Sequence, residues 1–239
     1  MMSKAYKFRK VPRCQCEAEE KKRVQKQPFD CSLRRKRNVG ENMEQRQLLD
    51  FLSLAEKLKC NTRHSWTSSG RHESVAEHSW RLALFAMLLE DEFPELDMEK
   101  VIRMCLIHDL GEAVTGDIPA FLKTEQDETV EDDAVSQLIR MLPEPHRSSW
   151  TALFAEMNAL ETKEAKLYKS LDKLEALIQH NEADLSTWLP LEYELQMVYG
   201  TEECAFSEYT HSLRETVRED SRKKAEKGGC TAKSQEEEN

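Results

Sequence analysis

Residues 74–91 read SVAEHSWRLALFAMLLED. Val75, His78, Leu82, Phe85 and Leu89 recur at spacings of three and four, which predicts a helix with one apolar face. Ser74 stands where an N-cap belongs, and Glu77 three residues on completes a capping-box signature. The core-facing row therefore contains a histidine, His78, and that shapes the reading of the rest of the chain.

The same helical spacing continues outward. A helix starting at Asp97 or a neighbour carries Val101, Cys105 and His108 on one face, while Asp109 continues Ile102 on the adjoining face. It ends near Gly111, and a loop follows through Thr115-Gly116-Asp117-Ile118-Pro119. Upstream, residues 44–59 place Leu48, Leu49, Leu52, Ala55 and Leu58 at helical spacing, and residues 61–73 (NTRHSWTSSGRHE) read as a polar loop with Ser-Ser-Gly turn chemistry. Further helices are predicted at about 124–142, 144–159, 162–182 and 203–220. No segment alternates apolar and polar residues over strand length, so the predicted class is all-α, a helical bundle with a continuous core.

The chain has 239 residues, enough to bury a core without disulfide or metal staples. Seven Gly and seven Pro are too few for collagen-like, low-complexity or turn-rich all-β classes. No run of 18 apolar residues exists. The seven cysteines are scattered and odd in number, which predicts reduced thiols in a cytoplasmic setting. Residues 1–42 hold 13 Lys/Arg against 5 Asp/Glu, and residues 43–239 hold 22 against 40. The expected organisation is a basic disordered arm at 1–42, a folded domain at 43–220 and a frayed polar tail at 221–239. Cys14-Gln15-Cys16 in the arm lacks a second Cys/His pair at zinc-site spacing. So acidic a body repels polyanions, so neither a stable nucleic-acid partner nor a membrane partner is expected.

Within KEAKLYKSLDKLEALI (163–178), Asp172 stands beside an apolar row formed by 167, 171, 174 and 178. A core-facing carboxylate is costly unless it is paired or bound to metal. His78, His108, Asp109 and Asp172 converging in one interior would compensate one another around a cation. That N₂O₂ set lacks thiolate and suits Mn, Co, Fe, Mg or Zn rather than a structural zinc site.

The order His78, His108-Asp109, Asp172 resembles the H…HD…D pattern of the HD-domain metal-dependent phosphohydrolases. Glu73-Ser74-Val75-Ala76-Glu77-His78, His108-Asp109-Leu110-Gly111-Glu112-Ala113 and Thr115-Gly116-Asp117-Ile118-Pro119 narrow the resemblance to the 5′-deoxynucleotidase branch. The similarity covers about residues 44–200. It implies an all-α HD-domain bundle, commonly a homodimer. It also implies phosphate removal from deoxyribonucleoside 5′-monophosphates with Co, Mn or Mg. By position it makes His78, His108, Asp109 and Asp172 ligands of one cation, and Glu112 and Asp117 functional acids that can also help hold a second. It places Arg63 and Trp66 at the substrate pocket, with Arg71 a further candidate for a phosphate contact. Here His64-Ser65 separates Arg63 from Trp66, where some relatives have Arg-Trp adjacent. Ala113 after Glu112 argues against a (p)ppGpp hydrolase, and no Gly-Tyr-Pro follows for the HD-GYP type. The remaining alternatives are an HD hydrolase of another small phosphate ester and a non-catalytic helical metal-binding module.

Overall fold

The computed structural model describes residues 43–228. The basic arm with Cys14-Gln15-Cys16, and residues 229–239, lie outside the described residues. Among the described residues ten α-helices and one two-stranded sheet follow in the order α1 (Gln45–Ala55), β1 (Thr62–Trp66), β2 (His72–Ser74), α2 (Val75–Leu88), α3 (Met98–Ile107), α4 (Glu112–Thr115), α5 (Glu125–Arg140), α6 (His146–Ala159), α7 (Lys163–Glu182), α8 (Pro190–Val198), α9 (Thr201–Cys204) and α10 (Glu208–Lys227). The all-α expectation holds.

The centre is made by α2, α3 and α7 packing against one another. Val75, Leu82 and Ala86 from α2, Val101, Met104 and Cys105 from α3, and Leu167, Leu171 and Leu174 from α7 are fully excluded from solvent. Their spacing is the 3.6-residue period read in the sequence. Polar caps set where the helices begin. Ser74 and Glu77 form the anticipated reciprocal box at α2, Asp97 caps α3, and Thr162 caps α7. Gly111, ahead of α4, permits a close approach: a Cβ there would lie 2.8 Å from the Glu131 side chain of α5.

Four expectations are corrected. The loop at 61–73 contains an antiparallel hairpin, β1 against β2, with Thr62 opposite Ser74 and Trp66 opposite His72. Its turn is where Ser-Ser-Gly placed it, with Gly70 at φ +84°. The strands are too short and polar to alternate visibly. They are fixed from outside, as when Gln179 Nε2 on α7 donates to the Trp66 carbonyl at 2.7 Å. In α1 the buried residue is Phe51, packed edge-on against Trp150, while Leu48, Leu49 and Leu52 face outward. The segment before 203 holds a further helix, α8, beginning with Pro190 at its first turn. The last helix does not stop at 220. Ser221 is buried and donates to Asn181 Oδ1 at 2.8 Å, and Lys224 Nζ reaches the Asn181 carbonyl at 3.1 Å. These are polar ties that apolar periodicity does not register.

The α2 cap yields a test. Hydrogen bonds from Arg71 and from Ser74 hold Glu77 down to about 2. Because the folded value lies below the ordinary 4.5, its contribution to stability is full above that pH and lost as pH falls toward 2. Ser74→Ala is expected to cost about 1 kcal/mol of unfolding free energy at neutral pH. The stability gap between wild type and Glu77→Gln, followed by urea denaturation, should close as pH drops from 4.5 toward 2. A gap that persists at pH 2 contradicts this account.

Candidate metal and active site

Each central helix delivers part of one polar cluster. His78 lies one turn into α2, His108 caps the C-terminus of α3 with Asp109 following it, and Asp172 lies midway along α7. His78 Nε2 is 3.2 Å from His108 Nε2, 3.3 Å from Asp172 Oδ1 and 3.9 Å from Asp109 Oδ2. His108 Nε2 is 3.0 Å from Asp109 Oδ2 and 3.7 Å from Asp172 Oδ1. All four side chains singled out in the sequence thus meet at one point.

The hydrogen bonds on the far sides of the rings define what that point needs. His78 Nδ1 faces the Glu175 carboxylate, and His108 Nδ1 lies 2.9 Å from the Cys105 carbonyl. Both partners are acceptors, so each Nδ1 carries the proton and each Nε2 presents a lone pair. Two lone pairs 3.2 Å apart, flanked by two carboxylates, require positive charge between them. A proton competes for that same lone pair: burial and Arg63 oppose protonation of His78, yet Glu175 and Asp172 prevail and lift it to about 9. Burial favours neutral Asp109 and Asp172, but His108 holds the first, and Lys169 the second, well below the usual carboxylate range. Two imidazoles and two ionised carboxylates, with no thiolate, fit a divalent cation.

Glu175 was not anticipated. It is almost fully buried, holds His78 through one oxygen and accepts from Arg81 Nε at 2.6 Å through the other. The sequence does carry a signal, because Asp172 and Glu175 are three apart on the buried side of α7. Lys169 Nζ donates to Asp172 Oδ2 at 2.9 Å, so it neutralises that acid.

Glu112 and Asp117 flank the cluster. Carboxylate oxygens of Asp109, Glu112 and Glu131 lie within 4.8 Å of one another. Glu112 Oε2 is buried without a hydrogen-bond partner. Burial, then the charges of Asp109 and Asp117, push Glu112 up to about 10. Burial also raises Asp117, against the pull of Arg63. Arg63, on β1, reaches the cluster: Nη1 is 3.3 Å from Asp109 Oδ2 and Nε is 3.6 Å from Glu73 Oε2. Arg63 and Asp117 also line a cavity of about 220 Å³ between the hairpin, the loop after α4, α7 and α8.

Two expected substrate contacts are not brought here. The Trp66 ring lies against His72, with centroids 4.3 Å apart, and does not line that cavity. Arg71 is exposed and forms a forked pair with Glu77, at 2.9 and 2.6 Å. The capping glutamate, adjacent in space, outcompetes a distant phosphate site for this guanidinium. His64 and His180 also line the cavity.

Comparison with known proteins agrees with this geometry. The HD domain family model matches residues 55–214. The human 5′-deoxynucleotidase HDDC2 is 36% identical over 141 residues, 57% of this chain and 68% of that protein. The 5′-deoxynucleotidase hdd1 of Schizosaccharomyces pombe is 30% identical over 159 residues, 59% and 79% of the two chains. Among solved structures, a "predicted metal-dependent phosphohydrolase" from Magnetospirillum magnetotacticum MS-1 is 27% identical. It aligns with a TM-score of 0.65 over 77% of this chain and 98% of its own.

Glu175 gives the test of how the cluster is held. Removing the acceptor that fixes His78 should weaken divalent-cation binding by about 10–100-fold. Glu175→Ala is expected to show this by calorimetric titration with Mn or Co, with unchanged far-ultraviolet circular dichroism. Glu175→Gln, which keeps an acceptor, should recover part of the loss. Unaltered affinity in Glu175→Ala refutes the orienting role.

Proposed function

The chain belongs to the HD-domain family and is a metal-dependent phosphohydrolase, and we propose that it hydrolyses deoxyribonucleoside 5′-monophosphates to deoxynucleoside and inorganic phosphate. One observation carries the reading: two facing imidazole lone pairs, flanked by carboxylates, beside a half-buried arginine that borders a cavity. His78, His108, Asp109 and Asp172 would hold the cation, with Co, Mn and Mg the proposed metals. When bound, it supplies Lewis acidity toward a phosphoryl oxygen and makes water a usable nucleophile at neutral pH.

The chain's own residues do the remainder. Phosphoryl transfer needs positioning and charge stabilisation more than covalent chemistry. Arg63 presents a planar fork of donors, suited to two phosphate oxygens at once. Its tie to Asp109 holds it next to the cluster. Glu112, kept protonated by burial and neighbouring acids, has a proton to give to the leaving 5′-oxygen. Asp117, on the loop after α4, lines the same cavity as Arg63 and His64 of β1.

The proposed assembly is a homodimer. Trp80, Leu84, Met87 and Leu88 form a stripe at helical spacing on α2 and are exposed in the single chain, Trp80 by 63% and Leu88 by 73%. A reducing, cytoplasmic setting suits the three free cysteines of the described residues. No helix among the described residues is long and apolar enough to cross a membrane.

Phosphate release from dAMP, dCMP, dGMP and dTMP, against the matching ribonucleotides, tests the activity with each of Co, Mn and Mg. Release from the deoxynucleotides is expected, and none from any of them with metal bound overturns the reading. Glu112→Gln should lower kcat by about 10²–10⁴-fold while metal affinity stays. For the assembly, Leu84→Glu together with Met87→Glu should yield monomers by light scattering. A wild-type protein already monomeric removes the dimer.

A further inference from the structure

The cavity beside Arg63 contains polar groups that phosphate transfer does not use. Glu192, in the first turn of α8, is 3% exposed and lines the cavity. Its Oε2 accepts the Leu189 backbone N–H at 2.7 Å, which anchors the carboxylate in place. Its Oε1 lies 3.3 Å from His64 Nε2 and 3.8 Å from His180 Nε2. His64 Nε2 is buried and makes no hydrogen bond. Burial lowers the affinity of His180 for a proton. Phe121, Leu177 and Leu195 supply apolar wall. An apolar cavity with an anchored acceptor and a neighbouring imidazole nitrogen that makes no hydrogen bond is the chemistry of nucleobase recognition.

The geometry points to Glu192 and His64 as the pair that reads the base, favouring bases with an amino group beside an unprotonated ring nitrogen. This rests on the deoxynucleotide reading above. In cytosine and adenine the amino group donates and the adjacent ring nitrogen accepts. Glu192 Oε1 takes the amino hydrogen, and His64 Nε2–H donates to the ring nitrogen. Uracil and thymine reverse the pattern and set a carbonyl oxygen against the carboxylate. The imidazole can change tautomer to suit them, but an anchored carboxylate cannot donate. A site built on such a group rejects the mismatched edge because its own buried polar atoms are then left unpaired.

dCMP and dUMP have the same phosphate and sugar and nearly the same size, so their ratio isolates the base edge. Wild-type kcat/KM is expected to favour dCMP by about tenfold or more. Glu192→Gln keeps the capping role at α8 and offers both a carbonyl and an amide. In that variant the ratio should fall toward one, and any loss of folded or metal-loaded enzyme cancels from it. Calorimetric binding of deoxycytidine against deoxyuridine to the metal-loaded protein reads the same preference without turnover. Equal wild-type kcat/KM for dCMP and dUMP, or a ratio unmoved by Glu192→Gln, overturns the inference and leaves the activity standing. Binding preference for deoxycytidine without hydrolysis of any deoxynucleotide overturns the activity and leaves the base reader standing.

Discussion

Two imidazole lone pairs held 3.2 Å apart, with carboxylates on either side, are a repulsive arrangement that only positive charge relieves. The protein accepts it because the groups cannot move away. Each ring is fixed from behind by an acceptor, Glu175 or the Cys105 carbonyl. Each belongs to a helix whose other residues fill the core. Close-packed interiors transmit strain and do not absorb it. The apolar packing of α2, α3 and α7 is thus the instrument that aims the ligands, and the cluster is where packing energy becomes binding specificity.

Charge around this point is arranged in shells of alternating sign. Asp109 and Asp172 are met by Arg63 and Lys169, and Glu175 by Arg81, which in turn reaches Glu182 near the surface. Glu73 stands opposite Arg63 and is raised by burial, and by Glu175, to about 7. The body of the chain is acidic overall, so an anionic substrate meets an unfavourable field until it reaches Arg63 and the cation site. Arg63 reaches from the cluster to the cavity, a position that suits a rigid, permanently charged guanidinium better than a lysine.

The cluster was legible because its members break a strong pattern. His78, His108 and Asp172 interrupt or adjoin apolar rows whose period is unmistakable, and a polar residue in such a row demands an explanation. Glu175 sits in the same kind of row, but its role depends on which atom of His78 it faces, which is tertiary information. The hairpin escaped because five- and three-residue strands of polar residues have no alternation to read, and Gln179 from α7 helps hold them. Family resemblance placed Trp66 and Arg71 at the pocket by position along the chain. The turn carries one toward His72 and the other toward Glu77, because local partners are met first. Glu192 was invisible for the converse reason: α8 lacks any motif, and only its packing brings that carboxylate to His64.

Seven side chains among the described residues have a buried polar atom without a hydrogen-bond partner, and four of those atoms sit within a short reach of hairpin. They are Arg63 Nε, His64 Nε2, Ser65 Oγ and Glu73 Oε2, and Glu112 Oε2 joins them from α4. Each such atom costs about 1–3 kcal/mol in a folded protein that leaves it unmet. Only Ser79 Oγ and Arg214 Nη1 of the seven lie elsewhere, so the concentration reflects location. Arg63 and Glu112 lie next to the cation site, and Arg63, His64 and Ser65 line the cavity. Unmet groups clustered at one place are free energy withheld from folding and available to whatever arrives there with the complementary donors and acceptors. In the proposed function a phosphate would satisfy the arginine and a base edge the histidine, and the hairpin would then couple the two ends of one substrate.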